Sequence, residues 1–311
     1  MKKVIAIENR NSAMNDFIGM MIDKMREQKI YALLVKGQGI AQCYERPQWR
    51  SSGDVDFLLD SSNYERAKDF MFPLANAVEV EDIGKKHIGM TIESWSVELH
   101  GTLRNGLTRR ANRVIDRVQY DMFCNGDVQM WRNGNTDIPM PGTDSNVVFI
   151  FSHILQHFFH GGIGLRQLCD WSRLLWNSRT KIDKELLKSR LQKMRLMTEW
   201  KSFGAFAVKY LGLATDAMPF YDCSRYYKRK SDKILSIILE KGNFGQNVDN
   251  SYMANATPLK RKFITIWRQL KESMTFFRLF PLDTLRFLGF FFVDGFERTK
   301  TTTTFSEYHN T

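Results

Sequence analysis

Asp54 and Asp56 stand two residues apart in the segment DVDFLLD (54–60), which alternates at first and then turns apolar, as a central strand does. The two-residue period of a strand sends both carboxylates to one face and Val55 and Phe57 to the other. Like charges this close cost free energy unless a cation or hydrogen bonds offset them, so the pair points to a divalent ion. Glu98, set between Val97 and Leu99 in the short run 95–99, is a third acid among apolar neighbours. If the two strands are adjacent, three oxygen donors converge, a hard set suited to Mg²⁺ or Mn²⁺ with room for water and phosphate oxygens. Taken singly, each acid has a blander reading, a solvated edge for D-x-D and a half-exposed surface carboxylate for Glu98.

The elements that must position these acids can be read from apolar spacing. Phe17, Ile18, Met21, Ile22 and Met25 recur at helical intervals and predict a helix over 12–28. The run YALLV (31–35) then enters Lys36-Gly37-Gln38-Gly39, which reads as a buried strand, a tight turn and a helix over 40–44. After the D-x-D strand, Ser61 or Ser62 is placed to cap a helix over 64–74, and three more strands are expected at 78–80, 88–92 and 95–99. Pro139-Met140-Pro141-Gly142 reads as a breaker. Beyond it, helical patterns follow at 144–160, 165–176, 182–196, 200–211, 228–241, 259–277 and 282–293. The expected fold is therefore α+β, a small mixed sheet with flanking helices over 1–141 followed by an all-α domain over 142–311.

The order of strand, glycine turn, D-x-D and later strand acid resembles the DNA polymerase beta-like nucleotidyltransferase superfamily. More closely, the chain is similar to a bacterial family of uncharacterised nucleotidyltransferases (family five). The likeness rests on Leu34 to Ala41, on Arg50-Ser51-Ser52-Gly53-Asp54-Val55-Asp56-Phe57-Leu58-Leu59, on Val97-Glu98-Leu99-His100, and on the helical stretch His157 to Leu175. The resemblance implies that the turn Gly37, Gln38, Gly39 approaches the phosphates of an NTP, where glycine lets the backbone come near. It implies that Lys36 or Arg50 neutralises those phosphates, that Asp54 and Asp56 hold metal ions, and that Glu98 helps hold one and accepts the proton of an attacking hydroxyl. The chemistry implied is in-line attack on the α-phosphate with loss of pyrophosphate. Two departures stand out. The superfamily turn usually carries Gly-Ser where this chain has Gly37-Gln38, and the interval from Gly37 to Asp54 is long. A non-catalytic nucleotide- or RNA-binding module on the same fold is the alternative these departures leave open.

His153, His157 and His160 fall at i, i+4 and i+7 on one helical face, which makes zinc binding geometrically possible; with no HExxH glutamate and no cysteine nearby in sequence, a polar stripe facing the cleft or packing against Phe158 and Phe159 is the preferred reading. Arg166 and Asp170, also i and i+4, can pair. His157 and Arg166 then contact nucleotide phosphates or the acceptor, or belong to an internal network. His100, two residues after Glu98, is expected on the same strand face as that acid.

Composition narrows the setting. The chain has 311 residues, 43% of them hydrophobic and 25% charged, enough apolar side chains for a full core. Its net charge of +11 is carried wholly by residues 178–311, where a polyanion or nucleotide can be drawn in, or where the basic surface is simply solvated. Cys43, Cys124, Cys169 and Cys223 form no C-x-x-C pair, which argues against a zinc knuckle or a disulfide framework and for a reducing compartment, the cytoplasm. The N-terminal segment lacks the apolar run of a secretory signal, and no transmembrane segment is expected. The aromatic stretch 276–293 is either a buried terminal helix or a weak membrane-surface element. The acceptor, whether small molecule, glycan precursor, RNA end or protein, is not specified by any of these features.

Overall fold

The apolar stripe of the first helix and the alternating strands meet as their spacing demands. In the computed structural model, which describes residues 2–160, 162–241, 264, 267 and 273–290, helix α1 spans Lys2–Glu27. It starts well before residue 12 because residues 3–10 are helical without an apolar face to announce them; most are exposed. Five strands follow: β1 (Ala32–Val35), β2 (Asp54–Leu59), β3 (Ala77–Val78), β4 (His87–Ile92) and β5 (Trp95–His100). They form one mixed sheet in the order β1-β2-β5-β4-β3, with β2 and β5 parallel and the other neighbours antiparallel.

The pleat sorts the two faces. Val55, Phe57 and Leu59 of β2, with Val97 and Leu99 of β5, join Met14, Phe17, Ile18, Met21, Ile22 and Met25 of α1 in one buried cluster. Tyr64, Ala67 and Met71 of α3 (Ser61–Met71) belong to the same cluster. Each such side chain is worth roughly 1.5–3 kcal/mol on leaving water, so the sheet is held rigidly from this side. The intervening positions, Asp54, Asp56, Glu98 and His100, are thereby committed to the opposite face. The cap of α3 is Asp60, whose carboxylate accepts from the backbone N–H of Ser62 and Asn63. This corrects the expected caps, Ser61 or Ser62: Asp60 is the last extended residue and so holds the Ncap position.

Helix α2 (Gly37–Ala41) follows β1 directly, and α4 (Arg109–Cys124) follows β5. A two-stranded ribbon, β6 (Val128–Asn133) with β7 (Thr136–Pro141), occupies the stretch that was expected to end in a breaker. Five further helices are α5 (Thr143–His160), α6 (Leu165–Ser178), α7 (Lys184–Met194), α8 (Met197–Leu211) and α9 (Arg225–Lys241).

The chain divides into two compact units, one of residues 1–104, 115–150 and 173–183, the other of 105–114, 151–172 and 184–311. The expected boundary at 141/142 falls within the first unit. The second unit has an aromatic core in which Phe151 stacks on Trp171 and meets Trp200 and Phe203 edge-on. Phe276, Phe280 and Phe287 are buried in this unit against Phe158 or Phe159, so these rings of the 276–293 stretch serve the core. Most of the expected helix 259–277 and residues 291–293 lie outside the described residues. No helix among the described residues is long and apolar enough to cross a membrane.

Candidate metal site

Register brings the acids together. Parallel pairing of β2 with β5 sets Asp56 opposite Glu98, and Asp54 lies two residues back on the same face of β2. One carboxylate oxygen from each of Asp54, Asp56 and Glu98 lies within 4.8 Å of the others. Asp56 is buried, while Asp54 and Glu98 are half-buried. The adjacency expected of the two strands is thus present, and the set is all oxygen, the chemistry that Mg²⁺ or Mn²⁺ requires.

Lys36 enters the same cluster from the end of β1. Its Nζ lies 2.5 Å from Oδ1 of Asp56. Its backbone takes φ 56° and ψ −143°, a region nearly confined to glycine, where a side chain costs of order 1–3 kcal/mol. Such strain persists only where the surroundings enforce it, and here it aims the ammonium at the acids. Burial works against that charge, but Asp56, Glu98 and Asp54 outweigh it and hold the Lys36 pKa above its ordinary value. Gly37 continues the turn at φ 33°, and a Cβ there would approach the carbonyl oxygen of Asp54 to 3.3 Å. Gly39 is small for a different reason: a Cβ would meet Sδ of Met140 at 3.1 Å.

Two imidazoles complete the cluster. Nε2 of His100 lies 2.8 Å from Oδ1 of Asp56 and 3.3 Å from Oε2 of Glu98. His87, which pairs with His100 across β4 and β5, brings its Nε2 to 3.2 Å from the same Oε2. Hydrogen bonds from His100 and His87 hold the Glu98 carboxyl far below the usual carboxylate range, against the opposing effect of burial. Burial, then repulsion from Asp56, raises that of Asp54, with Lys36 opposing. For His100, burial and the Lys36 charge are overcome by the bonds to Asp56 and Glu98, and its pKa is raised.

The loop before β2 is pinned from α1. Arg10 donates to the carbonyl oxygens of Ser52 and Gly53, and Nδ2 of Asn11 donates to those of Gln48 and Arg50 at 2.7 and 3.0 Å. Arg50 itself donates to Oγ of Ser52 at 2.6 Å. The side chain of Gln38 is buried, with Nε2 3.0 Å from Oδ1 of Asn11, so this departure from the superfamily turn packs against α1. His87, Arg10 and Asn11 were not anticipated.

Residues 2–212 match the sequence profile of the family described as uncharacterised nucleotidyltransferase. The chain belongs to this family. The match covers more than half of the nucleotidyltransferase-family chain and includes every residue of the carboxylate and imidazole cluster. Among solved structures, an antigenic nucleotidyltransferase-like protein from Paracoccidioides brasiliensis is similar at a TM-score of 0.39 and 11% identity, over 68% of this chain and 94% of that one. No curated protein matches.

The other expected site residues of this family member, His157, Arg166 and Asp170, lie in the second unit. Nε2 of His157 is 3.1 Å from Nε2 of His153, with the rings edge to face. Arg166 is exposed and Asp170 buried. The side chain of His160 lies outside the described residues.

Proposed function

We propose that the chain moves a nucleoside monophosphate from a nucleoside triphosphate to a hydroxyl acceptor and releases pyrophosphate. The observation that carries this reading is the meeting of Asp54, Asp56 and Glu98 on one sheet face of a nucleotidyltransferase-family member. These three acids would hold Mg²⁺ or Mn²⁺, since their donors are all hard oxygens. When bound, the ion polarises phosphoryl oxygens and eases deprotonation of the attacking hydroxyl.

The remaining roles follow from position. Lys36, held in the site by its own strained backbone, offers a fixed positive charge to the triphosphate. Gly37 keeps a side chain away from the Asp54 end of the turn, so that the backbone of Gly37, Gln38 and Gly39 can lie near phosphate oxygens. Arg50 is a second phosphate partner. The hydroxyl oxygen bonds to the α-phosphorus, the bond from that phosphorus to the pyrophosphate bridging oxygen breaks, and the hydroxyl proton leaves through the Glu98 carboxylate to solvent, since a carboxyl held so far below its usual range does not keep it. Reduced thiols at Cys43, Cys124, Cys169 and Cys223 suit a cytoplasmic setting.

The test is label transfer. The protein is incubated with each α-labelled NTP, Mg²⁺ or Mn²⁺ and cell extract, beside the Asp54→Asn/Asp56→Asn variant. Label moving to an acceptor only with the wild type supports the transferase and identifies the acceptor class. Equal labelling by both proteins refutes the assignment, and NTP binding without transfer leaves the non-catalytic module.

A further inference from the structure

The two histidines beside Glu98 are more than an oxygen site for magnesium needs. His87 and His100 face each other across β4 and β5, and Glu98 precedes His100 by two on the same sheet face, so one register places all three. Their donors, Nε2 of His87, Nε2 of His100 and Oε2 of Glu98, are separated by 3.2 and 3.3 Å at the two nitrogen–oxygen edges, and one ligand atom from each lies within 4.8 Å of the others. A tetrahedral zinc with bonds of about 2.0–2.1 Å spaces its donors by about 3.3–3.4 Å. Two imidazoles and one carboxylate suit zinc and disfavour magnesium, which takes oxygen donors. The side chains of His87 and Glu98 are 32% and 28% exposed, enough for an ion to enter.

We propose that His87, Glu98 and His100 form a second cation site, selective for Zn²⁺ and sharing Glu98 with the oxygen site. An ion there fixes the orientation of Glu98 through Oε2 and leaves the other oxygen of that carboxylate for the first site. The competing use of the same atoms is a purely hydrogen-bonded clamp, in which His100 serves Asp56 at 2.8 Å and no ion enters. The zinc site shares Glu98 with the transferase reading, but zinc binding is measured without transfer, so failure of one is distinguishable from failure of the other.

The test is equilibrium dialysis of the full chain, stripped by chelator, against Zn²⁺ in excess Mg²⁺, with bound metal counted by elemental analysis. The expected result is one Zn²⁺ that Mg²⁺ does not displace, an affinity about tenfold weaker or more in His87→Ala, and no change in Asp54→Asn. Should His87→Ala not fold, His87→Gln replaces it, and Co²⁺ substituted into the wild type should show the intense visible bands of a four-coordinate ion. Four outcomes overturn the proposal: no zinc retained in Mg²⁺, equal affinity in the His87 variant, a weak six-coordinate Co²⁺ spectrum, or zinc lost on Asp54→Asn. Zinc lost on His153→Ala but kept in the His87 variant would place the metal on α5 and overturn it as well.

Discussion

Nζ of Lys36 sits 2.5 Å from Oδ1 of Asp56, the most buried acid of the site. The ammonium is the cation that the folded chain itself brings to three converging carboxylates. A lysine is held here at a backbone conformation that suits glycine, so its charge outweighs its strain.

That relation separates charge from strain by mutation. Lys36→Ala loses the ammonium and keeps the strained backbone, and breaking a buried pair of this kind costs about 3 kcal/mol. Lys36→Gly loses the same charge but relieves the backbone, and should be about 1–2 kcal/mol more stable than Lys36→Ala. Urea denaturation of both variants checks the difference. Added Mg²⁺ should restore part of the loss in each, up to about 2.7 kcal/mol at a hundredfold excess over Kd.

The two glycines of the turn should behave differently. Gly37→Ala meets a left-handed φ and the Asp54 carbonyl oxygen, so it should destabilise by about 1–2 kcal/mol and weaken Mn²⁺ binding by moving Asp54. Gly39→Ala meets Sδ of the flexible Met140 side chain at 3.1 Å and Leu34 only at ordinary contact distance, and the better helix propensity of alanine offsets the closer contact. Its stability and Mn²⁺ affinity should stay near wild type, measured by thermal melts and by Mn²⁺ titration followed by electron paramagnetic resonance.

Acid should weaken the start of α3 through Asp60. Burial alone would raise this carboxyl, but the N–H groups of Asn63 and Ser62 and their side chains hold it below the ordinary range. A depressed carboxylate contributes its stability in full above the unfolded pKa of about 3.9 and loses it as pH falls through the folded-state value. Asp60→Asn keeps a capping oxygen without the charge, so its stability should fall less steeply below about pH 4. Asp60→Ala should cost about 1 kcal/mol at neutral pH. Denaturant melts of the wild type and both variants between pH 3 and pH 7 would show it, and parallel curves for the wild type and Asp60→Asn would count against the cap.

The acid pair was legible because strand period alone puts Asp54 and Asp56 on one face, and Glu98 among apolar neighbours had the same signature. Their convergence needed a pairing that sequence spacing does not contain, the parallel contact of β2 with β5. His87 could have been found. A two-residue turn at Glu93-Ser94 pairs Ile92 with Trp95 and so sets His87 opposite His100. Pro139 and Pro141 hid β7, since prolines argue against a strand; in a two-stranded ribbon every second N–H points away from the partner, and residues two apart share that position. Helix α4 had a readable stripe in Ala111, Val114, Ile115, Val118 and Met122, all buried. The backbone of Lys36 had no signal at all, because lysine is not a residue from which a glycine-like conformation is inferred.

The most direct measurement of the central claim is an anomalous difference map from a crystal grown with Mn²⁺ and a non-hydrolysable NTP analogue. A manganese peak among Asp54, Asp56 and Glu98, within about 2.0–2.3 Å of their oxygens and beside the analogue's phosphates, is the predicted result. Manganese absent from these three acids, with the analogue bound elsewhere and Lys36 still closing on Asp56, would contradict it.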